Sequence, residues 1–242
     1  MVIPTRRSSA MNAIAWTGAL VFGASLVWFL YSYLVRYGNA VPAGPVLAPV
    51  LADIALFSAF AVHHSVLART GAKRAVRRYL PAELERSLYT WVASLLFIAV
   101  CTLWQPVPGT LYRVGGIWAF AGYAIQFAGF LLTVQGAAAL DALDLAGVRP
   151  VLHAAHGTAP VHVPLETSGL YGFVRHPLYF AWVLLVFGTP AMTATRATFA
   201  VVSTLYLAAA IPLEERSLVE IFGPEYDEYK RNVRWRMIPG IY

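Results

Sequence analysis

The chain has 242 residues, of which 59 % are hydrophobic and 12 % charged, and its formal net charge is +6. That charged share is about half of what a soluble domain carries, which excludes a water-soluble globule. The basic excess is not gathered into the surface patch that nucleic acid requires, and the lone Cys101 inside an apolar run excludes a disulfide framework.

Apolar runs predict an all-α, polytopic membrane bundle of about six transmembrane helices in a single membrane domain, 1–242. The first run, near 12–35, follows Arg6 and Arg7 but is too long for a signal peptide and lacks a small-residue cleavage site. The second lies near 46–68, the third near 87–104 and the fourth near 114–139. Most approach the roughly 20 residues needed to cross a hydrocarbon core. Residues 140–177 then read as a long cytoplasmic loop carrying His153, His156, Pro160, His162 and Pro164. Loops of that length in a compact protein are mostly functional or disordered. The fifth and sixth runs, near 178–192 and 197–212, are short and separated by a turn at Thr193–Arg196, a tight helical hairpin. The polar stretch 214–242 favours helices, with Gly223 ending one and Pro224 opening the next. Trp16, Trp28, Tyr31, Tyr33, Trp91, Trp104, Tyr112 and Trp118 read as an aromatic belt at the two interfaces.

Lysine and arginine set the expected orientation. With the N-terminus in the cytoplasm and six helices alternating, 15 of the 18 basic residues fall on the cytoplasmic side, leaving Arg36, Arg113 and Arg196 opposite. The reading is N-in and C-in.

Candidate chemistry is sparse in the first half of the chain. No Gly-x-Gly-x-x-Gly follows a strand and no phosphate-binding loop of the Walker type occurs. His63 and His64 are adjacent and point to different sides of a helix, while His153 and His156 lack an obvious third ligand, so no metal is expected. The informative stretch is Tyr171–x₃–Arg175-His176-Pro177–x–Tyr179. A proline opens an apolar helix there, and the exposed N–H groups behind it attract anions. If the last two runs form a hairpin, Arg175 and His176 return to the same face as Glu214 and Glu215. Two readings of that cluster stand at this point: a binding site, or salt bridges that merely fix the hairpin.

The same segment, followed by Glu214-Glu215, Phe222-Gly223–x₂–Tyr226–x₂–Tyr229, Val233 and Pro239, resembles the signature of the isoprenylcysteine carboxyl methyltransferase superfamily over Thr167–Pro239. The resemblance implies a polytopic membrane methyltransferase that uses S-adenosylmethionine. It implies cofactor contacts from Leu165, Glu166, Tyr171, His176, Leu178, Tyr179 and Glu214, with the 140–177 loop and the 214–242 helices forming the site. Ala210 departs from the pattern, because the prenylcysteine enzymes carry an arginine four residues before the acid. Further elements resemble the bacterial methanethiol S-methyltransferase branch. These are His63-His64-Ser65-Val66-Leu67-Ala68-Arg69, Glu85-Arg86-Ser87-Leu88-Tyr89, Leu103-Trp104-Gln105-Pro106, Leu143–Arg149 and Gly188–Thr193.

The resemblance therefore implies methylation of a small apolar thiol, methanethiol to dimethyl sulfide or hydrogen sulfide, in a bacterial inner membrane with the site facing the cytoplasm. A lipid-like acceptor such as prenylcysteine carboxylate or a phospholipid amine is the alternative, and a non-catalytic membrane accessory protein the second. The reacting thiol must ionise. Arg175 or Arg216 as a nearby cation, or His64 as a base, are the candidate catalytic groups. The expected partners are membrane lipids and the acceptor, with no nucleic acid.

Overall fold

The structure is a computed structural model that describes residues 6–67, 70–158 and 164–242. Arg69, Pro160 and His162 lie outside the described residues, as does the Lys73 side chain. The elements run α1 (Arg6–Leu34), α2 (Leu47–Leu67), α3 (Thr70–Val76), α4 (Glu85–Leu103), β1 (Thr110–Arg113), α5 (Gly116–Ala139), α6 (Ala142–Leu145), α7 (Arg149–His156), α8 (Pro177–Phe187), β2 (Ala191–Thr193), α9 (Ala194–Phe222) and α10 (Pro224–Asn232). Among the described residues, α1, α2, α4, α5 and α9 are long and apolar enough to cross a membrane, and α8 is a shorter apolar helix. Leu20, Ile117, Trp118 and Phe120 each expose more than two thirds of their surface. Such faces would aggregate in water and are at home in lipid. The fold is an all-α, polytopic membrane assembly. Tyr33 and Trp104 are buried rather than placed in an aromatic belt, whereas Trp16, Tyr31 and Trp118 are exposed.

The chain divides into two compact units. The first comprises Met1–Ser32, Ser58–Trp104 and Ala139–His162. Its core joins Ala15 of α1 to Leu84, Ala146, Val148 and Val151. The stretch expected as a loop is structured through His156. Asp141, at a positive φ of 60°, accepts from the Leu143 and Asp144 amides and so caps α6. Its other oxygen holds Arg149 of α7 at 2.7 Å. Gly147, with φ +78°, lets the turn lie against the backbone at Ser87, whose hydroxyl donates to the Gly147 carbonyl at 2.6 Å.

The second unit comprises Tyr33–Phe57, Gln105–Ala138 and Val163–Tyr242. Gly122, Gly129 and Gly136 recur every seven residues on α5, along one helical face. A side chain at Gly129 would meet the Leu185 amide at 2.5 Å and the Ala181 carbonyl at 2.7 Å, so α5 and α8 approach backbone to backbone. Such close approach is how small residues serve helix pairs in lipid.

Residues 178–192, expected as the fifth span, form a helix of only 11 residues that ends at Phe187. Gly188-Thr189-Pro190 interrupts it, and the chain continues extended into β2, which pairs antiparallel with β1 as Thr110↔Thr193, Tyr112↔Met192 and Arg113↔Ala191. Thr193 also caps α9, its hydroxyl accepting from the Arg196 amide at 3.1 Å. Arg196 is buried and donates to the Tyr33 and Leu34 carbonyls, the last of α1, and to the Ala191 carbonyl. It satisfies acceptors that a helix end leaves open. At the far end of the same helix pair, Arg175 reaches Glu215. From Arg196 to Glu215 α9 rises about 28 Å. The return path covers that length with roughly 16 Å of helix and an extended remainder.

Candidate active site

Every side chain that the sequence places around Arg175-His176-Pro177 belongs to the second unit. Proline disfavours the helical region for the residue before it, and His176, with φ −122° and ψ 71°, lies outside that region as Pro177 opens α8. Arg175 and His176 are stitched to the C-terminal segment. The Arg175 amide donates to the Trp235 carbonyl at 2.9 Å, and the His176 amide to the Arg236 carbonyl at 2.8 Å. Opposite them, α9 runs ten residues beyond its expected span end at Pro212 and presents Glu214 and Glu215.

Glu215 is the buried member, its side chain 8 % exposed. Its Oε1 accepts from Arg175 Nε at 2.6 Å and lies 3.5 Å from His176 Nε2, a charge contact rather than a hydrogen bond. Its Oε2 lies 3.4 Å from Arg236 Nε. Arg175 Nη1 also donates to the Val233 and Arg234 carbonyls at 2.7 and 3.0 Å. A buried carboxylate held by cations and hydrogen bonds is a fixed scaffold rather than a titrating group. The expected meeting of Arg175 and His176 with the glutamate pair is present.

Glu214 is the open member, with 44 % of its side chain exposed. Tyr179 donates its hydroxyl to Glu214 Oε2 at 2.7 Å. The Tyr179 ring stacks on His176 with centroids 5.3 Å apart and planes 11° from parallel, and His176 Nδ1 lies 3.7 Å from the same Oε2. Tyr171, from the turn Gly169–Gly172, packs with Leu165 against Tyr226, Tyr229 and Val233. Tyr229 donates to the Tyr171 carbonyl at 2.7 Å. Burial, with the carboxylates of Glu214 and Glu166 beside it, pushes the Tyr171 phenol up to about 12. Burial likewise raises the phenols of Tyr226 and Tyr229. Glu166 is exposed and accepts from the Ser168 amide and hydroxyl at 2.8 and 2.6 Å, which holds its carboxyl below the usual range.

His176, Tyr179 and Glu214 form one polar cluster, bounded by Tyr171 and, through charge, by Glu166. Leu178 packs its side chain on Gly136 of α5. Arg216 is exposed on α9 and makes no ion pair among the described residues. His64 belongs to the first unit, where its ring meets the Tyr89 hydroxyl at 2.8 Å and packs on Phe60. Among the described residues no group of three metal-binding side chains occurs. Sequence reasoning gave no role to Arg236 and Tyr242. Their only signal is a basic and aromatic tail, which many membrane proteins share.

The exposed Glu214 carboxylate, the Tyr179 hydroxyl and the stacked His176–Tyr179 pair suit a cationic ligand. The model of the isoprenylcysteine carboxyl methyltransferase (ICMT) family matches residues 157–220. Methanethiol S-methyltransferase 2 of Bradyrhizobium diazoefficiens is 35 % identical over 193 residues, 80 % of this chain and 74 % of that protein. Methanethiol S-methyltransferase of a Pseudomonas species is 32 % identical over 235 residues, 88 % of this chain and 90 % of its own length. Protein-S-isoprenylcysteine O-methyltransferase of Dictyostelium discoideum is 35 % identical over 81 residues, 32 % of this chain and 34 % of its own. No solved structure matches.

Proposed function

We propose that this chain, which belongs to the isoprenylcysteine carboxyl methyltransferase family, methylates a small thiol with S-adenosylmethionine as donor, turning methanethiol into dimethyl sulfide. The observation that carries the acceptor is coverage. Relatives named for methanethiol match from 76 to 88 % of the chain, against 32 % for the prenylcysteine relative.

The donor would be held by Glu214, Tyr179, His176 and Tyr171, with Glu166 and the backbone at Leu165 and Leu178 beside them; when bound it supplies an electrophilic methyl on a sulfonium. The protein's own contribution is binding and alignment. Glu214 faces positive charge, the Tyr179 hydroxyl fixes that carboxylate, and the His176–Tyr179 stack gives a flat, rigid wall. Arg175 is committed to Glu215 and two carbonyls, so its role is to hold His176 rather than to meet a thiolate. Arg216 remains the exposed cation on α9 for thiol ionisation, and His64 the candidate base. The distribution of lysine and arginine supports a cytoplasmic setting for this end of the chain, and the membrane in this reading is a bacterial inner membrane.

Headspace gas chromatography of cells expressing the protein tests the reading. Dimethyl sulfide forms from added methanethiol and disappears with His176→Ala. Purified protein that binds S-adenosylhomocysteine yet yields no dimethyl sulfide would move the acceptor to a prenyl or phospholipid group. Absence of any binding would remove the donor as well.

A further inference from the structure

We propose that Arg236, seated by Tyr242, is a positioning residue for the donor site: it holds the Glu215 carboxylate in the rotation that keeps one oxygen on His176. The inference rests on the proposed S-adenosylmethionine reading of that site.

Pro212 interrupts the hydrogen bonding of α9. Proline has no amide hydrogen, so inside α9 it leaves the carbonyl four residues earlier without its helical donor. That carbonyl is Ala208, and the Tyr242 hydroxyl donates to it at 3.2 Å. Tyr242 is further fixed through its main-chain oxygen, which accepts from the amides of Arg236, Met237 and Ile238 at 3.0, 2.9 and 3.1 Å. The tail thus closes on itself and docks on the opening that Pro212 makes.

Docked there, Tyr242 aims Arg236. The guanidinium lies over the Tyr242 ring, 5.2 Å from its centroid, and Nη1 donates to the Tyr242 hydroxyl at 3.2 Å. This leaves Nε 3.4 Å from Glu215 Oε2. Ala208 and Glu215 are seven residues apart on α9 and share a face, so the tail clamps one side of the helix at two points.

The consequence follows from how Glu215 divides its oxygens. Oε1 accepts from Arg175 Nε and lies 3.5 Å from the buried His176 Nε2, which has no hydrogen-bond partner among the described residues and has this oxygen as its nearest carboxylate contact, while Oε2 faces Arg236. Take Arg236 away and the carboxylate is free to turn both oxygens toward Arg175, the fork geometry that guanidinium and carboxylate favour. His176 then loses its Nε2 contact, and the ring is left with the Tyr179 stack and the Glu214 contact alone to set its position. Arg236 touches neither donor nor acceptor. Its side chain is 37 % exposed, so replacing it disturbs little packing.

Isothermal titration of S-adenosylhomocysteine into purified wild type, Arg236→Gln, Arg236→Lys and Tyr242→Phe, with unfolding temperatures of the ligand-free proteins, tests this. Arg236→Gln weakens binding roughly tenfold, about the loss expected for one charge-assisted contact, with an unchanged unfolding temperature. Arg236→Lys, which keeps the charge but not the fork, falls between wild type and Arg236→Gln, as does Tyr242→Phe. Wild-type affinity in Arg236→Gln overturns the proposal. So does a loss of affinity that merely follows a lowered unfolding temperature; Tyr242→Phe, which keeps the ring, then shows the same result without the charge change. A wild-type protein that does not bind overturns the donor reading, and this one with it.

Discussion

Glu214 and Glu215 are neighbours on α9, and one helical step of about 100° separates a carboxylate that meets solvent from one that does not. The side chain of Glu214 is 44 % exposed and that of Glu215 is 8 % exposed. The open one can face a ligand, whereas the closed one ties Arg175, His176 and Arg236 to a single point. Around them stand three phenols, Tyr226 and Tyr229 buried and Tyr171 half-buried, each with its ionisation pushed upward by loss of solvent. For Tyr171 the ordinary value of 10.0 rises to about 12. The folded value is the higher one, so the stabilisation is complete below pH 10 and is lost as the pH climbs toward 12. Unfolding temperatures measured in detergent should fall across that window, and Tyr171→Phe should make the fall shallower. An identical slope in the variant would show that this phenol is solvated in the folded protein.

The helix pair α5 and α8 sets where the cluster sits. Gly129 lets α8 approach backbone to backbone, and Gly136 receives Leu178 two residues after His176. A larger side chain at Gly129 must displace α8 backbone, and overpacking of this kind costs about 1–3 kcal/mol. Gly129→Leu should therefore lower the unfolding temperature and weaken binding of S-adenosylhomocysteine together. Gly23→Leu, on α1 with nothing within 4 Å of its Cβ position, should leave both unchanged; equal losses in the two variants would assign the effect to general helix disturbance. On α9, Pro212 removes a helical hydrogen bond next to the glutamate pair, and the tail replaces it with the Tyr242 hydroxyl.

At the scale of the whole molecule, five helices among the described residues are long and apolar enough to cross a membrane and α8 is a shorter apolar one. Arg196 with the last carbonyls of α1 and Arg175 with Glu215 lie about 28 Å apart along α9, close to a hydrocarbon thickness of about 30 Å. The short helix and its extended continuation therefore match one crossing in length. A green fluorescent protein fused after Tyr242 should fluoresce in intact bacteria, as a cytoplasmic C-terminus requires, whereas an alkaline phosphatase fusion there should be inactive. The reverse pair of results would turn the orientation over.

What the sequence by itself determined is whatever short-range chemistry fixes. Hydropathy and run length gave the membrane helices, because lipid leaves backbone polar groups no partner outside a helix or a closed barrel. Pro177 set the start of α8 and Gly223-Pro224 the break between α9 and α10, since both residues act through their own backbone. The spacing of Arg175-His176 and Glu214-Glu215 was legible once a hairpin was assumed. Tertiary structure alone decided the rest. The β1–β2 pair is too short to show a period and exists because two distant extended segments meet. Tyr33 and Trp104 read as belt residues and are core, because exposure is a property of neighbours rather than of residue type. The division of labour between Glu214 and Glu215, and the tail that steadies the second, depend on contacts made through Pro212 and Tyr242, 30 residues apart in a chain whose local preferences do not encode that meeting.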